Sequence, residues 1–155
     1  MMGQLYCLDT SAFIEPWHRR YPIDVFPTFW DRLDGWANDG RVISPDEVFK
    51  EISYVADDLH EWVRQRQTIF QPPTMPVQDA LREVLRVHPR LVGSGNGKHA
   101  ADPWVIAQAR VTGATVVTEE HFRTLANPKI PDVCRAMQVP CIDVLQLIRA
   151  MGLKL

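Results

Sequence analysis

The feature that most constrains the fold is an abrupt change of polarity near the N-terminus. A short apolar segment, Leu5 to Leu8, is followed at once by Asp9, Thr10 and Ser11. An apolar run of this length predicts a strand that is buried on both faces, as in a parallel sheet. Because open α/β sheets bind ligands at the carboxyl ends of their strands, we expect Asp9 and the two hydroxyl groups to lie at a binding edge.

The remainder of the chain alternates further short strands with longer amphipathic segments. Strands are predicted at residues 41–44, 114–118 and 140–142, and helices at 11–17, 26–39, 45–55, 57–70, 77–88, 102–112, 132–137 and 144–151. Ser44 is a candidate N-cap for the helix 45–55. This alternation predicts an α/β fold with a central, mostly parallel sheet that is covered by helices on both faces. A length of 155 residues fits one domain, 1–155, with a substantial core.

The composition argues against several classes of protein. The formal net charge is −2, so affinity for a nucleic acid would depend on a local basic patch or on bound metal. The three cysteines include no C-x-x-C pair, which argues against a disulfide framework and against a zinc site. No charged N-terminal region precedes an apolar stretch, and no apolar run approaches the about 18 residues of a membrane span. We therefore expect a cytoplasmic protein.

Four acidic side chains are predicted to gather at one edge of this sheet. Asp9 follows the first strand and Glu120 follows the strand 114–118, so both lie at carboxyl ends. Glu51 lies about two turns into the helix after the second strand, and Asp102 begins the helix that leads to the third. Because the carboxyl ends of parallel strands share an edge, we expect the four carboxylates to converge.

Several of these acids also have a purely structural explanation or a rival. Asp9 is placed to cap the helix that follows it, and Asp102 fits the N-cap of a helix that has proline in its first turn. Glu47 lies one helical step from Glu51 on the same face, and both are compatible with a solvent-facing position. The sequence alone leaves these alternatives open.

The chemistry predicted for converging acids is that of a metal site. Carboxylates that converge repel one another and raise one another's pKa values, so the cluster requires a neutralising cation. Ligands that are all oxygen select hard cations, Mg²⁺ or Mn²⁺. Two such cations about 3.5–4 Å apart would contact both the attacking and the leaving oxygen of a phosphodiester. The pattern therefore predicts metal-dependent phosphodiester hydrolysis.

Two other segments carry candidate contacts to a nucleic acid. Residues 17–22, with two aromatic side chains and two arginines, are predicted to form a loop that either contacts nucleic acid or is simply solvated. Residues 93–99 are rich in glycine but lack the spacing and the hydroxyl residue of a P-loop, which excludes a nucleotide site of that kind. Lys98 in this segment remains a candidate contact to a substrate phosphate.

Four segments, in this order, resemble the PIN-domain ribonucleases, in particular the small prokaryotic PIN proteins that include the VapC-like toxins. They are residues 8–11 (LDTS), 48–52 (VFKEI), 101–107 (ADPWVIA) and 114–120 (ATVVTEE). Together they span nearly the whole chain, and the first and third are the most specific.

The resemblance implies both a fold and an active site. The implied fold is a three-layer α/β/α domain, often dimeric, and the implied activity is Mg²⁺- or Mn²⁺-dependent endonucleolytic cleavage of RNA. The catalytic acids of the family correspond here to Asp9, Glu51, Asp102 and Glu120. Of these, the expected metal ligands are Asp9, Asp102 and Glu120. The residues expected to contact substrate are Thr10, Ser11, Thr118 and Lys98.

The sequence departs from the family pattern at the last acid, which is usually aspartate. Glu120 is preferred to Glu119 because it lies two residues after Thr118, the usual offset. Many proteins of this kind are toxins that a cognate antitoxin holds inactive, so an antitoxin is an expected partner in addition to RNA. The helical and proline-rich middle of this chain, residues 57–97, is longer than in typical toxins.

Two other functions are compatible with parts of the pattern. A PIN fold also serves as a non-catalytic RNA-binding or scaffold module, but the presence of all four acids argues against a degenerate site. A phosphotransferase with Asp9 as nucleophile, as in haloacid dehalogenase-like enzymes, needs a second aspartate two residues on, where this chain has Ser11. Metal-dependent cleavage of RNA is therefore the leading hypothesis.

Overall fold

A parallel sheet forms the centre of the molecule. The computed structural model describes residues 3–55, 57–92 and 100–155. The strands are β1 (Tyr6–Leu8), β2 (Val42–Pro45), β3 (Phe70–Gln71), β4 (Thr115–Val117) and β5 (Cys141–Ile142). They pair in the order β3-β2-β1-β4-β5, and every pairing is parallel. The predicted α/β fold with a parallel sheet is confirmed.

Eight α-helices lie along the described ranges of the chain. They are α1 (Ser11–Glu15), α2 (Pro27–Asn38), α3 (Asp46–Ser53), α4 (Asp58–Arg64), α5 (Met75–Val87), α6 (Asp102–Thr112), α7 (Ile130–Ala136) and α8 (Val144–Ala150). At least one helix separates each strand from the next, which is the connection that parallel pairing requires. None of the helices in these ranges combines the length and the apolar character that a transmembrane span needs.

The sheet is buried between two layers of helices. All three residues of β1 and all three residues of β4 are buried. Because neighbouring residues of a strand point to opposite faces, burial of the whole strand means that both faces are covered. Helix α6 packs on β1, β2 and β4, and the largest fully buried side chains of the core include Trp30, Phe13 and Phe29. The result is the three-layer α/β/α arrangement.

Residues 57–70 depart from the prediction of one continuous helix. Helix α4 ends at Arg64, a 3₁₀ turn covers Gln67–Ile69, and the chain then forms β3. The two residues of β3 pair with the last two residues of β2. A strand of two residues has no side-chain periodicity that a sequence could reveal, so its partner strand determines where it forms.

Two local predictions are also wrong. Residues 17–22, predicted as a loop, begin within a π-helical turn, Pro16–Arg20, that directly continues α1. Ser44, predicted to cap α3, instead lies within β2, and its buried hydroxyl donates to the Leu8 carbonyl at 2.6 Å. The N-cap position of α3 is occupied by Pro45. Ser44 therefore bonds to the neighbouring strand, and this bond ties β2 to the end of β1.

Candidate active site

The candidate site begins where β1 ends. Leu8 of β1 is in register with Val117 of β4, and the Asp9 N–H donates to the Val117 carbonyl at 3.1 Å. The two strands therefore finish side by side, and the residues that follow them, Asp9 and Thr118, are neighbours. Each of these two residues is only 2% exposed. The parallel register thus places the first acid of the chain against the hydroxyl residue that follows β4.

Three donors hold the Asp9 carboxylate. The Thr118 hydroxyl donates to Oδ2 at 2.6 Å, and the Ala12 backbone N–H donates to Oδ1 at 2.8 Å. The Ser11 hydroxyl lies 2.8 Å from Oδ1 and 3.0 Å from Oδ2. The bond from Ala12 is the contact with the following helix that the sequence suggested for Asp9. These bonds set the orientation of a carboxylate that offers about four acceptor positions.

Burial dominates the electrostatics of Asp9. It raises the pKa of this carboxyl well above its usual range, because the charged form loses its hydration. Hydrogen bonds from Thr118 and Ser11 lower the pKa, whereas the charges of Glu120 and Asp102 raise it further. Three carboxylates therefore interact with one another, and a positive charge between them would relieve the repulsion.

The four predicted acids line one cleft of about 460 Å³. They are Asp9, Glu51, Asp102 and Glu120, and they come from the end of β1, from α3, from α6 and from the segment after β4. Ile14 and Glu15, which the sequence analysis did not single out, complete one wall. Both lie three or four positions after Ser11 in α1, and this helical spacing is the signal that would have indicated them.

The structure separates Glu51 from its rival Glu47. The Thr10 hydroxyl donates to Glu51 Oε1 at 2.7 Å, and Glu51 lines the cleft. Glu47 instead lies 2.9 Å from the Lys50 ammonium group and is not among the described residues that line the cleft. Helix α3 therefore presents Glu51 to the other acids.

The adjacent residues Glu119 and Glu120 also take different positions. Glu120 lines the cleft and accepts a hydrogen bond from the Ile130 N–H at 3.2 Å. Glu119 accepts a hydrogen bond from the Val144 N–H at 2.9 Å, and its other oxygen lies 3.3 Å from Nε of Arg20. Val144 is the first residue of α8, where a negative charge interacts favourably with the helix dipole. Glu119 thus stabilises a helix end, whereas Glu120 lines the same cleft as Asp9.

Asp102 is the first residue of α6, and the N-cap position belongs to Ala101. The prediction of an N-cap was therefore displaced by one residue. Asp102 is 5% exposed, and its charge raises the pKa of Asp9. A carboxylate in the first turn of a helix is favoured because the helix N-terminus carries a partial positive charge. An aspartate at position 102 therefore stabilises the start of α6 and also supplies a carboxylate to the cleft.

The hydroxyl residues expected to contact substrate bond to the acids. Ser11 and Thr118 donate to Asp9, and Thr10 donates to Glu51. These three side chains therefore orient the carboxylates of the cleft. Lys98, the remaining candidate for substrate contact, lies with the glycine-rich segment 93–99 outside the described residues.

The donor groups of the cleft are carboxylate and hydroxyl oxygens, which are the ligands that Mg²⁺ and Mn²⁺ prefer. Across residues 3–55, 57–92 and 100–155, no group of three or more histidine, cysteine, aspartate or glutamate side chains is arranged to hold a metal ion. Mg²⁺ usually takes one or two protein carboxylates and keeps several waters. By donor type, the cleft therefore fits a hard cation that keeps several of its waters.

Comparison with known proteins bears on the fold and on the family. The structure is similar to a chain in the crystal structure of VapBC2 from Rickettsia felis bound to a DNA fragment from their promoter, with a TM-score of 0.57 and 13% sequence identity. The match covers 90% of this chain and 98% of that chain, which supports the PIN-like fold. No curated protein matches the sequence. A family model described as a domain of unknown function, DUF4411, matches residues 6–155, and the chain therefore belongs to the DUF4411 family.

Proposed function

We propose that this protein is a metal-dependent endoribonuclease that hydrolyses the phosphodiester bonds of RNA. The observation that carries the proposal is the single cleft lined by Asp9, Glu51, Asp102 and Glu120. Burying a carboxylate beside other carboxylates is unfavourable for folding, so such an arrangement favours a functional role. The motifs that resemble PIN-domain ribonucleases supply the reaction class.

The proposed metal ligands are Asp9, Asp102 and Glu120, the three carboxylates that interact electrostatically. When bound, Mg²⁺ or Mn²⁺ would offset their repulsion and stabilise the negative charge that develops on the phosphate. Of the three, Asp9 is oriented before any cation arrives, since Thr118, Ser11 and the Ala12 N–H already bond to its carboxylate. A ligand that is oriented in advance needs little rearrangement during the reaction.

Glu51 has a different proposed role from the other acids. It is held by the Thr10 hydroxyl and lines the same cleft, but it comes from α3, whereas the proposed ligands come from the end of β1, from α6 and from the segment after β4. In the proposal, Glu51 accepts the proton of the water that attacks the phosphate. General-base catalysis by a positioned carboxylate typically contributes about 10²- to 10⁴-fold in rate.

The biological role we propose is that of the toxin in a type II toxin–antitoxin pair, acting in the cytoplasm. The proposed partners are RNA, a cognate antitoxin and a second copy of the chain in a homodimer. Support comes from the similarity in fold to a chain of VapBC2, whose structure holds a DNA fragment from their promoter. Induced expression should arrest bacterial growth, and the Asp9→Asn variant should not. Normal growth with abundant, RNA-cleaving protein would contradict the toxin role and leave the nuclease intact.

The direct test of the nuclease compares the wild-type protein with Asp9→Asn on a labelled structured RNA, with Mg²⁺, with Mn²⁺ and with EDTA. We expect wild-type protein to cut only with a divalent cation, and Asp9→Asn to lose at least about 10²-fold in rate, because its amide cannot supply an anionic ligand. Equal cutting by both proteins would mean that the site is wrongly placed. No cutting of several RNAs by folded, antitoxin-free protein would contradict the proposal.

A non-catalytic RNA-binding module is the second candidate. It is compatible with the structural similarity, because a likeness at 13% sequence identity supports the fold, and a fold alone does not specify catalysis. This candidate predicts RNA binding that is unaffected by divalent cations and by Asp9→Asn, with no cleavage under any condition. Measuring binding and cleavage on the same RNA separates the two functions.

A further inference from the structure

A second pocket of about 220 Å³ adjoins the acidic cleft. The two share Glu120, and Thr118, which holds Asp9, also lies in the wall of the second pocket. Small-molecule sites typically measure roughly 300–1,000 Å³, so this pocket is sized for a fragment such as one nucleobase. Its lining combines Arg20 with aromatic and apolar side chains such as Phe122 and Leu145, and it also includes the acids Glu119, Glu120 and Asp143.

Arg20 places a positive charge at this pocket. Its Nε lies 3.3 Å from an oxygen of Glu119, and the Glu119 side chain is only 8% exposed whereas that of Arg20 is 56% exposed. Glu119 is itself held by the Val144 N–H. The ion pair with Glu119 therefore holds the Arg20 guanidinium on its Nε side, while more than half of the Arg20 side chain remains exposed to solvent. A guanidinium has five N–H donors, so an arginine anchored through Nε retains donors whose geometry suits a phosphate.

Phe122 supplies an exposed aromatic ring beside that charge. The residue is 52% exposed, and the guanidinium of Arg135 lies 3.9 Å from the centroid of its ring. The cation–π contact steadies the ring while leaving much of it accessible. Exposed aromatic rings beside basic groups are the stacking surfaces of proteins that bind single-stranded nucleic acids.

The aromatic residues that the sequence analysis considered for stacking have a different role. Trp17 packs edge-on against Trp30 at 4.9 Å between ring centroids, and Tyr21 packs against Phe29 at 5.3 Å. Both therefore belong largely to the core. Phe122, which no sequence motif indicated, is an exposed aromatic residue in the wall of the pocket that adjoins the acids.

We propose that this pocket binds an unpaired nucleotide of the RNA next to the scissile phosphodiester. Its base stacks on Phe122, and Arg20 contacts a phosphate. The shared wall at Glu120 places this nucleotide directly beside the acidic cleft. Because the cleft is acidic and the whole chain carries a charge of −2, a local basic group is needed to offset repulsion of the RNA backbone. The identity of the ligand rests on the proposed function.

The first experiment measures binding of a short, end-labelled single-stranded RNA by fluorescence anisotropy. Ca²⁺ replaces Mg²⁺ in this experiment, and a gel verifies that the RNA stays intact. Phe122→Leu keeps an apolar side chain but removes the ring, and should weaken binding by about 5- to 100-fold, the range expected for one stacked base. Phe122→Tyr keeps the ring and should bind like wild-type protein. Equal binding by Phe122→Leu would overturn the proposal.

Arginine variants test the phosphate contact. Arg20→Gln should weaken binding and reduce the slope of log affinity against log salt concentration by about one counterion. Arg82→Gln is the matched control, because the Arg82 side chain is 69% exposed, pairs with Asp79 at 2.7 Å and is not among the described residues that line the pocket or the cleft. An equal salt slope for Arg20→Gln and wild-type protein would contradict the assigned contact. Thermal unfolding of each variant verifies that it is folded.

A second experiment tests whether the Phe122 ring contacts a base of the RNA. An RNA with one abasic nucleotide beside the mapped cleavage site should be cut with a KM about 5- to 100-fold higher by wild-type protein, while Phe122→Leu should barely distinguish it from the intact RNA. Equal sensitivity of both proteins would overturn the subsite and leave the nuclease standing. Conversely, RNA binding that depends on Phe122 and Arg20 without any cleavage would support the subsite and contradict the proposed hydrolysis.

Discussion

Hydrogen bonds decide which of two similar acids lines the cleft at each of two positions. Glu51 accepts a bond from Thr10, whereas Glu47 pairs with Lys50. Glu120 lines the same cleft as Asp9, whereas Glu119 contacts the first residue of α8. In each pair the two acids are chemically identical, so only the direction of the side chain distinguishes a candidate site residue from a structural one.

The pair on α3 offers a matched test at the scale of single residues. Glu51→Gln should lower the rate of RNA cleavage by about 10²-fold or more, because an amide cannot accept a proton from water at neutral pH. Glu47→Gln removes only a surface ion pair, which is worth about 0–1 kcal/mol, and should cleave at the wild-type rate. Single-turnover cleavage assays of both variants provide the comparison. Loss of activity in Glu47→Gln but not in Glu51→Gln would reverse the assignment.

The first turn and the C-cap of α6 both affect where residues of the site lie. Asp102 lies in the first turn of α6, and the helix ends at Thr112, with Gly113 as its C-cap two residues before β4 begins. Gly113 has a φ of 75°, and its N–H donates to the Ala109 carbonyl at 2.9 Å. A left-handed residue at this point ends the helix and redirects the chain into the strand that leads to Thr118. The cap of α6 therefore helps to bring Asp102 and Thr118 to the same edge of the sheet.

A glycine that caps a helix and a glycine inside a helix provide opposite predictions for stability. Gly113→Ala should lower the free energy of unfolding by about 1–2 kcal/mol, because the left-handed conformation is unfavourable for a residue with a Cβ. Gly35→Ala, within α2, should raise it by about 0.5–1 kcal/mol. A Cβ built at either position meets nothing within 4 Å, so backbone preference alone sets both signs. Urea unfolding measures the two changes, and the same sign for both would contradict this explanation.

At the scale of the whole molecule, the cleft depends on segments that are distant in the chain. The Thr118 hydroxyl bonds to Asp9 across 109 positions, and the Thr10 hydroxyl bonds to Glu51 across 41. The central position of β1 in the sheet, between β2 and β4, brings all of these segments to its end. Disturbing the global fold therefore removes the site, and a cation bound in the cleft should in turn stabilise the fold.

Cation binding can be measured as a stability change without any RNA. At about 100 times its Kd, Mn²⁺ should add about 2.7 kcal/mol to the free energy of unfolding, if it binds only the folded protein. For a chain of this size, that corresponds to a rise in Tm of about 5–10 °C. Asp9→Asn should show a much smaller rise, because it lacks one anionic ligand. Equal rises in calorimetry for the two proteins would place the cation elsewhere.

The sequence by itself determined the class of fold and the order of its main elements, apart from β3. Apolar strands such as β1 and β4 have enough buried, β-branched or small residues to be recognised locally, and the intervening helices have clear periodicity. The positions of Asp9 and Glu120 after those strands follow from the same pattern, because parallel strands end at one edge. These features depend on neighbours in the chain, which a sequence displays directly.

The tertiary structure alone decided the details that depend on distant contacts. The two-residue strand β3 forms because β2 offers backbone partners, and Ser44 bonds to Leu8 instead of capping α3. The choice of Glu51 over Glu47, and the pocket beside Phe122, likewise arise from packing between separate segments. The physical reason is that local periodicity selects helices and strands, whereas the direction and surroundings of a side chain depend on residues that only folding brings near.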